Sequence, residues 1–493
     1  MIKQNRHIIK RQILDLELPS ERGAHQLQRK LSRLYQEEVL PKLEEVLQSL
    51  SLEGRVFQIP ELRIDLGTLD LSQLDKEFTR RCVEALSREL KRRYEQANMA
   101  EGDDRFLSST EHGLQSLIHF LEKGYLSPRA IPVQWEEMET HLSTALKEGD
   151  AQGIKQFRSS VRDNPLAFTR AIHHLSEEGI AELRRHSMVH VRQIRTHLLK
   201  KIQDVSPRKV PRVILRALDI HLFLIQKEIL ASPIPVILSA CLDQWASLRL
   251  GTPILKYVRE LQSRFSPTAK GESVGVVRTH ASFERKGIPK TKQNQGIGGV
   301  PIASPLQPLL FQPKEPGAVQ QLLEQAVGMQ IQLAGIPIVA PYLPAFFTAV
   351  GLIKEKEWVS DEAKIHGMHL LYFLVTGKQQ AEEYHLPLAK VLCAWPLEMP
   401  VPQNIQLSPS LIQEAEEVLQ AIITHWTALK ATTIDGLRET FLQRMGRLVR
   451  MEQPSGWLLQ VERKSYDILL DRLPWTISSI KLPWMEEILR VEW

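Results

Sequence analysis

Two short stretches of the sequence have the residue types and spacing of a catalytic or phosphate-binding loop. Gly271–Gly275 matches the G-x-S-x-G spacing of a nucleophile elbow, with Ser273 at the position of the nucleophile. That motif needs a strand before the serine and a helix after it, whereas Ser266–Pro267 precedes it here and a Lys-, Gly- and Pro-containing stretch follows. Gly296–Gly299 lacks the Lys and Ser/Thr of a phosphate-binding loop. We therefore predict that neither stretch is a catalytic site.

Three histidines could share one side of a helix and suit a zinc ion. His186 and His190 are four residues apart, and His197 follows seven residues later. No HExxH glutamate accompanies them, and neighbouring arginines oppose a bound cation. The neighbouring arginines are Arg184, Arg185, Arg192 and Arg195. We predict no metal ligands, no catalytic residues and no cofactor, and therefore no enzymatic activity.

The same region is the most basic part of the chain. Between Arg184 and Arg216 there are ten Lys or Arg and a single acid, Asp204. Such a stretch can contact nucleic acid, an anionic lipid surface or an acidic protein, or it can simply be a solvated helix face. No aromatic residue interleaves the charges, which disfavours single-stranded nucleic acid. The candidate contact residues are Arg184, Arg185, Arg192, Arg195, Lys200 and Lys201.

The end of the chain has a repeated aromatic pattern that could dock a partner. Two Leu-Pro-Trp triplets occur nine residues apart, and a further tryptophan lies at position 493. Tryptophans are common anchors at protein interfaces, but they also fill the cores of their own domains. Both interpretations stay open at this point. The residues concerned are Leu473, Pro474, Trp475, Leu482, Pro483, Trp484 and Trp493.

The composition is that of a soluble globular chain with several domains. Of 493 residues, 43% are hydrophobic and 25% are charged, and the net charge is only +5. Cys82, Cys241 and Cys393 lie far apart among apolar neighbours, so we expect buried, reduced thiols and a cytoplasmic protein. The longest apolar stretch, 331–352, contains three prolines, so we expect no membrane span.

Four regions follow from hydrophobic periodicity and from the placement of Gly and Pro. Residues 1–100 alternate strand-like and helix-like patterns, with strands expected over 9–18 and 56–66, and predict a β-α-β-α domain. Residues 101–265 predict short helices separated by prolines, 266–316 a flexible Gly/Pro-rich linker, and 317–493 a Trp-rich, mostly helical domain. The predicted fold is therefore mostly α with a small N-terminal α+β unit.

Several segments, taken in order, resemble a known protein family. They resemble the tape measure proteins of contractile injection systems, the phage-tail-like particles that include antifeeding prophages and Photorhabdus virulence cassettes. The similarity covers roughly 1–125 and 317–493 and is densest near the end of the chain. The matching segments include Ile8–Leu18, Leu62–Asp70, Leu370–Gly377, Leu388–Cys393, Leu437–Arg444 and Leu473–Met485.

This resemblance implies a structural role in a bacterial particle. The chain is expected to set the length of the tail tube or to nucleate tube assembly at the baseplate. The alternatives are a non-extending baseplate adaptor or assembly chaperone and, third, a cargo effector. The implied partners are tail-tube proteins and baseplate or spike proteins. Self-association is compatible with this role, and no nucleic acid is expected as a partner. The implied location is the bacterial cytoplasm during assembly, and afterwards the particle tube or its baseplate. The family brings no catalytic residues.

Overall fold

Helices dominate the part of the chain that the structure describes, so the prediction of a mostly α fold is confirmed. The structure is a computed structural model. It describes residues 14–16, 18, 24–49, 55–59, 61–70, 73–98, 105–126, 135–206, 208–229, 232–248, 250–265, 328–403, 405–452 and 454–493. Among these residues, no helix is both long and apolar enough to cross a membrane. The predicted linker at 266–316 lies outside the described residues.

The N-terminal region combines three helices with a two-stranded ribbon. Its elements are α1 (Ala24–Leu34), a π-helical turn (Tyr35–Val39), α2 (Leu40–Ser49), β1 (Arg55–Gln58), α3 (Leu74–Asn98) and β2 (Arg105–Ser108). The three helical segments from Ala24 to Ser49 follow one another without a break, and Pro41 lies just after the π-helical turn, a local distortion of the helix. The rings of Phe57, Tyr94 and Phe106 pack together and join the ribbon to α3.

The strands of this region differ from those expected. The strand expected over 56–66 is confined to β1, which pairs antiparallel with β2. Residues 61–66 alternate between exposed and half-buried as expected for a strand, but they are not paired in a sheet. Strand β1 ends at Gln58, two positions before a proline in the sequence, a residue type that cannot donate a ladder hydrogen bond. Of the strand expected over 9–18, only 14–16 and 18 are described, and none of these residues is in a strand.

The middle region is an array of short helices around one hydrophobic core. Prolines and caps set its boundaries: Asn164 caps one helix, with Pro165 in the first helical position. The helices are α4 (Ser109–Lys123), α5 (Trp135–Glu148), α6 (Ala151–Asp163), α7 (Pro165–His174), α8 (Glu177–Arg185), α9 (Val189–Val205), α10 (Arg212–Ile225), α11 (Ile234–Ala246) and α12 (Thr252–Phe265).

The C-terminal region packs helices against a five-stranded sheet that the sequence analysis did not predict. The sheet order is β3-β6-β7-β9-β8, with β7 and β9 parallel and the other neighbours antiparallel. The five strands of this sheet are β3 (Met329–Ile331), β6 (Gly446–Met451), β7 (Gly456–Val461), β8 (Ser479–Ile480) and β9 (Ile488–Glu492). Two further strands, β4 (Ile353–Lys354) and β5 (Glu357–Trp358), form a separate antiparallel ribbon. The helices are α13 (Leu343–Ala349), α14 (Asp361–Thr376), α15 (Pro387–Leu392), α16 (Pro409–His425) and α17 (Ile434–Leu437).

Arginines from neighbouring elements bind the carbonyl groups at several helix C-termini. Arg216 donates from Nε to Ile172 O at the end of α7 (2.6 Å), and Arg438 donates from Nε to Leu374 O at the end of α14 (3.1 Å). The last four carbonyls of a helix have no partner within the helix and carry partial negative charge. A guanidinium both satisfies and neutralises them, so these contacts fix one helix against the next.

Candidate functional site

A buried cluster of charged side chains lies where the middle helices meet the C-terminal region. We call Arg170, His174, Glu383 and Lys390 the Glu383 cluster. The side chains of all four are fully buried. Arg170 and Glu383 are 213 positions apart in the chain, so the cluster joins two regions that are distant in sequence.

Local structure explains how the four side chains converge. Arg170 and His174 are four residues apart on α7, and this spacing puts both on one face. Glu383 begins a 3₁₀ turn (Glu383–His385), and Lys390 follows on α15. Apolar contacts surround the charges: the ring of Tyr384 packs edge-on against Phe120 of α4, with centroids 5.9 Å apart.

Glu383 is the only carboxylate within the cluster, and it accepts from the other three members. Arg170 Nε lies 3.1 Å and Lys390 Nζ 2.6 Å from Oε1, and His174 Nε2 lies 3.1 Å from Oε2. Lys390 also donates to Leu397 O (2.8 Å) and Met399 O (2.9 Å). Each buried charge therefore has several hydrogen-bond partners, as buried ions require.

The end of α4 completes the surroundings of Arg170. Its Nη1 donates to Leu121 O (2.9 Å) and Glu122 O (3.1 Å), and Nη2 donates to the backbone oxygen of Glu398. Helix α4 ends at Gly124, whose φ is +80°. A Cβ at Gly124 would lie 2.6 Å from both Arg170 Nη2 and Glu383 Oε1. Only glycine fits this turn without displacing the ion pair.

The protonation behaviour of the cluster follows from burial and pairing. Burial alone would raise the pKa of Glu383, but Lys390, His174 and Arg170 outweigh it and hold the pKa well below its usual range. Burial lowers the pKa of Lys390, with Glu383 opposing this effect. Burial would also lower the pKa of His174, but the carboxylates of Glu382 and Glu383 outweigh it and raise that pKa.

Glu382 and Gln403 extend the cluster toward the surface. His174 Nδ1 lies 3.7 Å from Glu382 Oε2, whose side chain is 35% exposed. Gln403 Nε2 contacts both His174 Nδ1 (2.6 Å) and the Glu382 carboxylate. Within the described residues, no group of His, Cys, Asp and Glu is placed to hold a metal ion. The arrangement is suited to fixing how the two regions fit together.

The tryptophans near the end of the chain pack against the core of the C-terminal region. The indole N–H of Trp475 donates to Ile338 O (3.1 Å), that of Trp484 to Leu392 O (2.7 Å) and that of Trp493 to Asp467 Oδ2 (3.2 Å). Of the neighbouring residues, Leu482 is buried and Leu473 half-buried, whereas Pro474 and Pro483 are exposed. This placement favours packing within the domain over a free docking tail, and a docking role stays a prediction.

The predicted basic patch separates into paired and unpaired residues. Arg184 (Nε to Oδ2, 3.8 Å) and Arg195 both pair with Asp219, and Arg185 pairs with Glu182. The remaining three members, Arg192, Lys200 and Lys201, lie on the exposed side of α9. Asp219, only three residues beyond the basic stretch, neutralises two arginines that the sequence pattern counted as available.

The residues considered for catalysis and zinc binding are not assembled into a site within the described structure. His186 Nδ1 contacts Glu182 O (3.1 Å) and His197 Nδ1 contacts Gln193 O (2.9 Å), each within one helical turn, while His190 is exposed. The stretches Gly271–Gly275 and Gly296–Gly299 lie outside the described residues. All three cysteines are free and buried, in agreement with the expectation.

Sequence reasoning missed the Glu383 cluster, although a signal was present. Lys390 stands alone in the apolar run Leu388–Leu392, and Arg170 stands alone in Ala167–Ile172. A single charge inside a buried helical pattern must be paired, because an unpaired buried charge is very costly. The pattern marks such residues as buried ions, but it does not identify their partners.

One comparison with known proteins identifies the family, and two give no match. No curated protein matches the chain, and no solved structure matches it. A family model described as contractile injection system tape measure protein matches residues 6–493, which is nearly the whole chain. The match also spans the middle region, where the sequence analysis had found no resemblance. The chain therefore belongs to the family of contractile injection system tape measure proteins.

Proposed function

We propose that this chain acts as a folded assembly scaffold that nucleates the tail tube at the baseplate of an injection particle. Family membership supports a structural role in the particle. The observation that carries the proposal is the Glu383 cluster, which locks the middle helices to the C-terminal region through buried ion pairs. A chain locked in this way presents a defined three-dimensional surface on which other subunits can assemble.

The geometry favours a folded scaffold over an extended ruler. A continuous helix of 493 residues would measure about 740 Å at about 1.5 Å per residue. The longest described helix, α3, has 25 residues and measures about 37 Å. Extension would break the Glu383 cluster and expose fully buried side chains such as Trp245 and Trp426. Tube subunits would then have to cover those side chains.

The extended ruler is the second candidate, and the family description favours it. A ruler could use the segment predicted as a linker, 266–316, to set length. The discriminating experiment inserts or deletes about 30 residues there and measures particle length by electron microscopy. If the extended chain sets the tube length, a helical insertion of that size would lengthen the tube by about 45 Å. A folded scaffold leaves the length unchanged, so a proportional change would refute our proposal.

Partners and location follow from the scaffold role. We propose contacts with tail-tube and baseplate or spike proteins, assembly in the bacterial cytoplasm and retention at the baseplate or in the tube. We also propose that the chain has no catalytic role and is not a cargo effector. In a strain that lacks the chain, electron microscopy should show baseplates without tubes. Particles of normal form and length would contradict the proposal.

A further inference from the structure

The exposed side of two neighbouring middle helices, α9 and α12, carries a local excess of positive charge. Between residues 189 and 265 the sequence has thirteen Lys and Arg against five Asp and Glu. The C-terminal region has the opposite balance, with fifteen Lys and Arg against nineteen Asp and Glu over 328–493. The basic character is therefore concentrated in one part of the molecule.

Four of the five acids of this segment have partners, and the fifth, Asp204, is exposed near the end of α9. Asp219 binds Arg184 and Arg195. Glu260 Oε1 pairs with Arg264 Nη2 at 2.9 Å, and Glu228 Oε1 pairs with Arg162 Nη1 at 2.8 Å. Asp243 accepts from Gln262 at 2.9 Å. Asp204 has no ion-pair partner among the described residues and Asp243 contacts only a neutral amide, so both keep their charge, but the exposed basic side chains of α9 and α12 still outnumber these two acids.

Five basic side chains on α9 and α12 remain exposed and without an ion pair in the described structure. They are Arg192, Lys200 and Lys201 on α9, and Lys256 and Arg259 on α12. The two helices are neighbours, because Arg264 of α12 donates to Val205 O at the end of α9. We call these five residues the basic face.

The surroundings of the basic face favour a protein partner over lipid or nucleic acid. The apolar side of α9, including Val191, Ile194 and Leu198, is buried in the core, so no apolar helix face is left to enter a membrane. Helix α9 has no Phe, Tyr or Trp, Tyr257 of α12 is buried and Phe265 of α12 is partly buried against the core, which disfavours base stacking beside the charges. Val189, which is 65% exposed beside the charges, adds an apolar contact suited to a protein surface.

We propose that the basic face docks onto an acidic surface of a tail-tube subunit. This proposal rests on the scaffold function proposed above and names the chemistry of one contact. Complementary charge would steer the subunits together and fix their orientation, and the contact would weaken as salt screens it. The exposed positions make substitution possible without disturbing the core.

The test measures binding of the full-length chain to the purified tail-tube protein of the same particle at several salt concentrations. The Arg192→Glu, Lys200→Glu, Lys201→Glu variant should lose affinity by about tenfold or more. A control with the same charge change on exposed lysines of the C-terminal region, Lys354→Glu, Lys378→Glu, Lys481→Glu, should bind like the wild type. Both variants should melt within a few degrees of the wild type, because all six side chains are exposed.

Three results would overturn the proposal. These are wild-type affinity in the basic-face variant, equal loss in the control, and absence of wild-type binding to the tube protein. Single-stranded DNA and phosphatidylserine vesicles are tested in parallel. If the wild type binds DNA or vesicles but not the tube protein, and the basic-face variant loses that binding, the basic face is assigned to that partner instead. The scaffold proposal is tested separately by particle length, so failure of the docking contact leaves that result intact.

Discussion

Replacing Glu383 with glutamine removes the carboxylate that neutralises a fully buried arginine and lysine. The amide has nearly the same shape, so the packing around it is preserved. Its NH₂ group is a donor, however, and it would face donors from Arg170, His174 and Lys390. The variant therefore retains two buried positive charges with carbonyl partners but no counter-ion.

The expected loss of stability is large for a single substitution. Breaking a buried ion pair by removing one partner costs about 3–5 kcal/mol. For a cooperative unit of roughly 150–250 residues, each kcal/mol lowers the melting temperature by about 2–4 °C. We therefore expect Glu383→Gln to lower the melting temperature by roughly 6–20 °C. Because folding lowers the pKa of Glu383, this difference should be complete above about pH 4.3 and shrink as the pH falls further.

The assay is thermal unfolding followed by circular dichroism, with limited proteolysis of the same samples. Glu398→Gln is the matched control: it makes the same change at an exposed side chain whose backbone oxygen accepts from Arg170. Adding Lys390→Met to Glu383→Gln removes one uncompensated charge and should recover about 0.5–3 kcal/mol as a coupling energy. In particles, Glu383→Gln should reduce tube nucleation if the folded form is active.

Two outcomes would refute this reasoning at different levels. A melting temperature equal to that of Glu398→Gln would show that the Glu383 cluster does not stabilise the fold. A strongly destabilised variant that still assembles normal particles, or assembles them faster, would show that the locked form is not the active one. That second outcome would favour an extended ruler.

Four further predictions address single residues. Gly124→Ala forces a side chain into a backbone with φ of +80° and against the ion pair, and should cost about 1–3 kcal/mol in denaturant unfolding. Trp484→Ala should lower the melting temperature, since its indole packs in the domain and donates to Leu392 O; normal melting would point to a free docking tail. The pKa of His174 is raised, so its stabilisation is present below about pH 6.5 and is lost as the pH rises through its folded pKa. His174→Gln should therefore lose more stability at pH 6 than at pH 9. Ser273→Ala should leave particle assembly unchanged.

The sequence predicted the helical architecture because its signals are local. Apolar spacing, the Asn164 cap with Pro165, and the glycine at the end of α4 depend on residues a few positions apart. The five-stranded sheet was missed for the opposite reason. Its strand β3 pairs with β6 more than a hundred residues later, and β8 has only two residues. Such short, distant pairings leave little periodicity in any one window.

The candidate site shows the same division between local and distant information. The presence of Lys390 in an apolar run could be read directly, but its partner depended on how α7 packs beside the C-terminal region. In the basic stretch, the charged residues can be counted from the sequence, yet Asp219 pairs with Arg184 and Arg195 and makes them unavailable to a partner. Tertiary pairing, which no local pattern encodes, decides which charges are available to a partner.

The use of ions in the Glu383 cluster is itself informative about function. A buried ion pair is often no more stabilising than apolar residues of the same volume, so stability alone does not explain it. An apolar contact tolerates sliding, whereas Glu383 accepts from three donors at defined distances and fits in only one relative position of α7 and α15. A scaffold needs a fixed relative position of its helices, because its subunit-binding surfaces must keep the same arrangement in space. A ruler that is pulled into an extended chain has no use for it. The cluster thus favours a chain that works in the particle while folded.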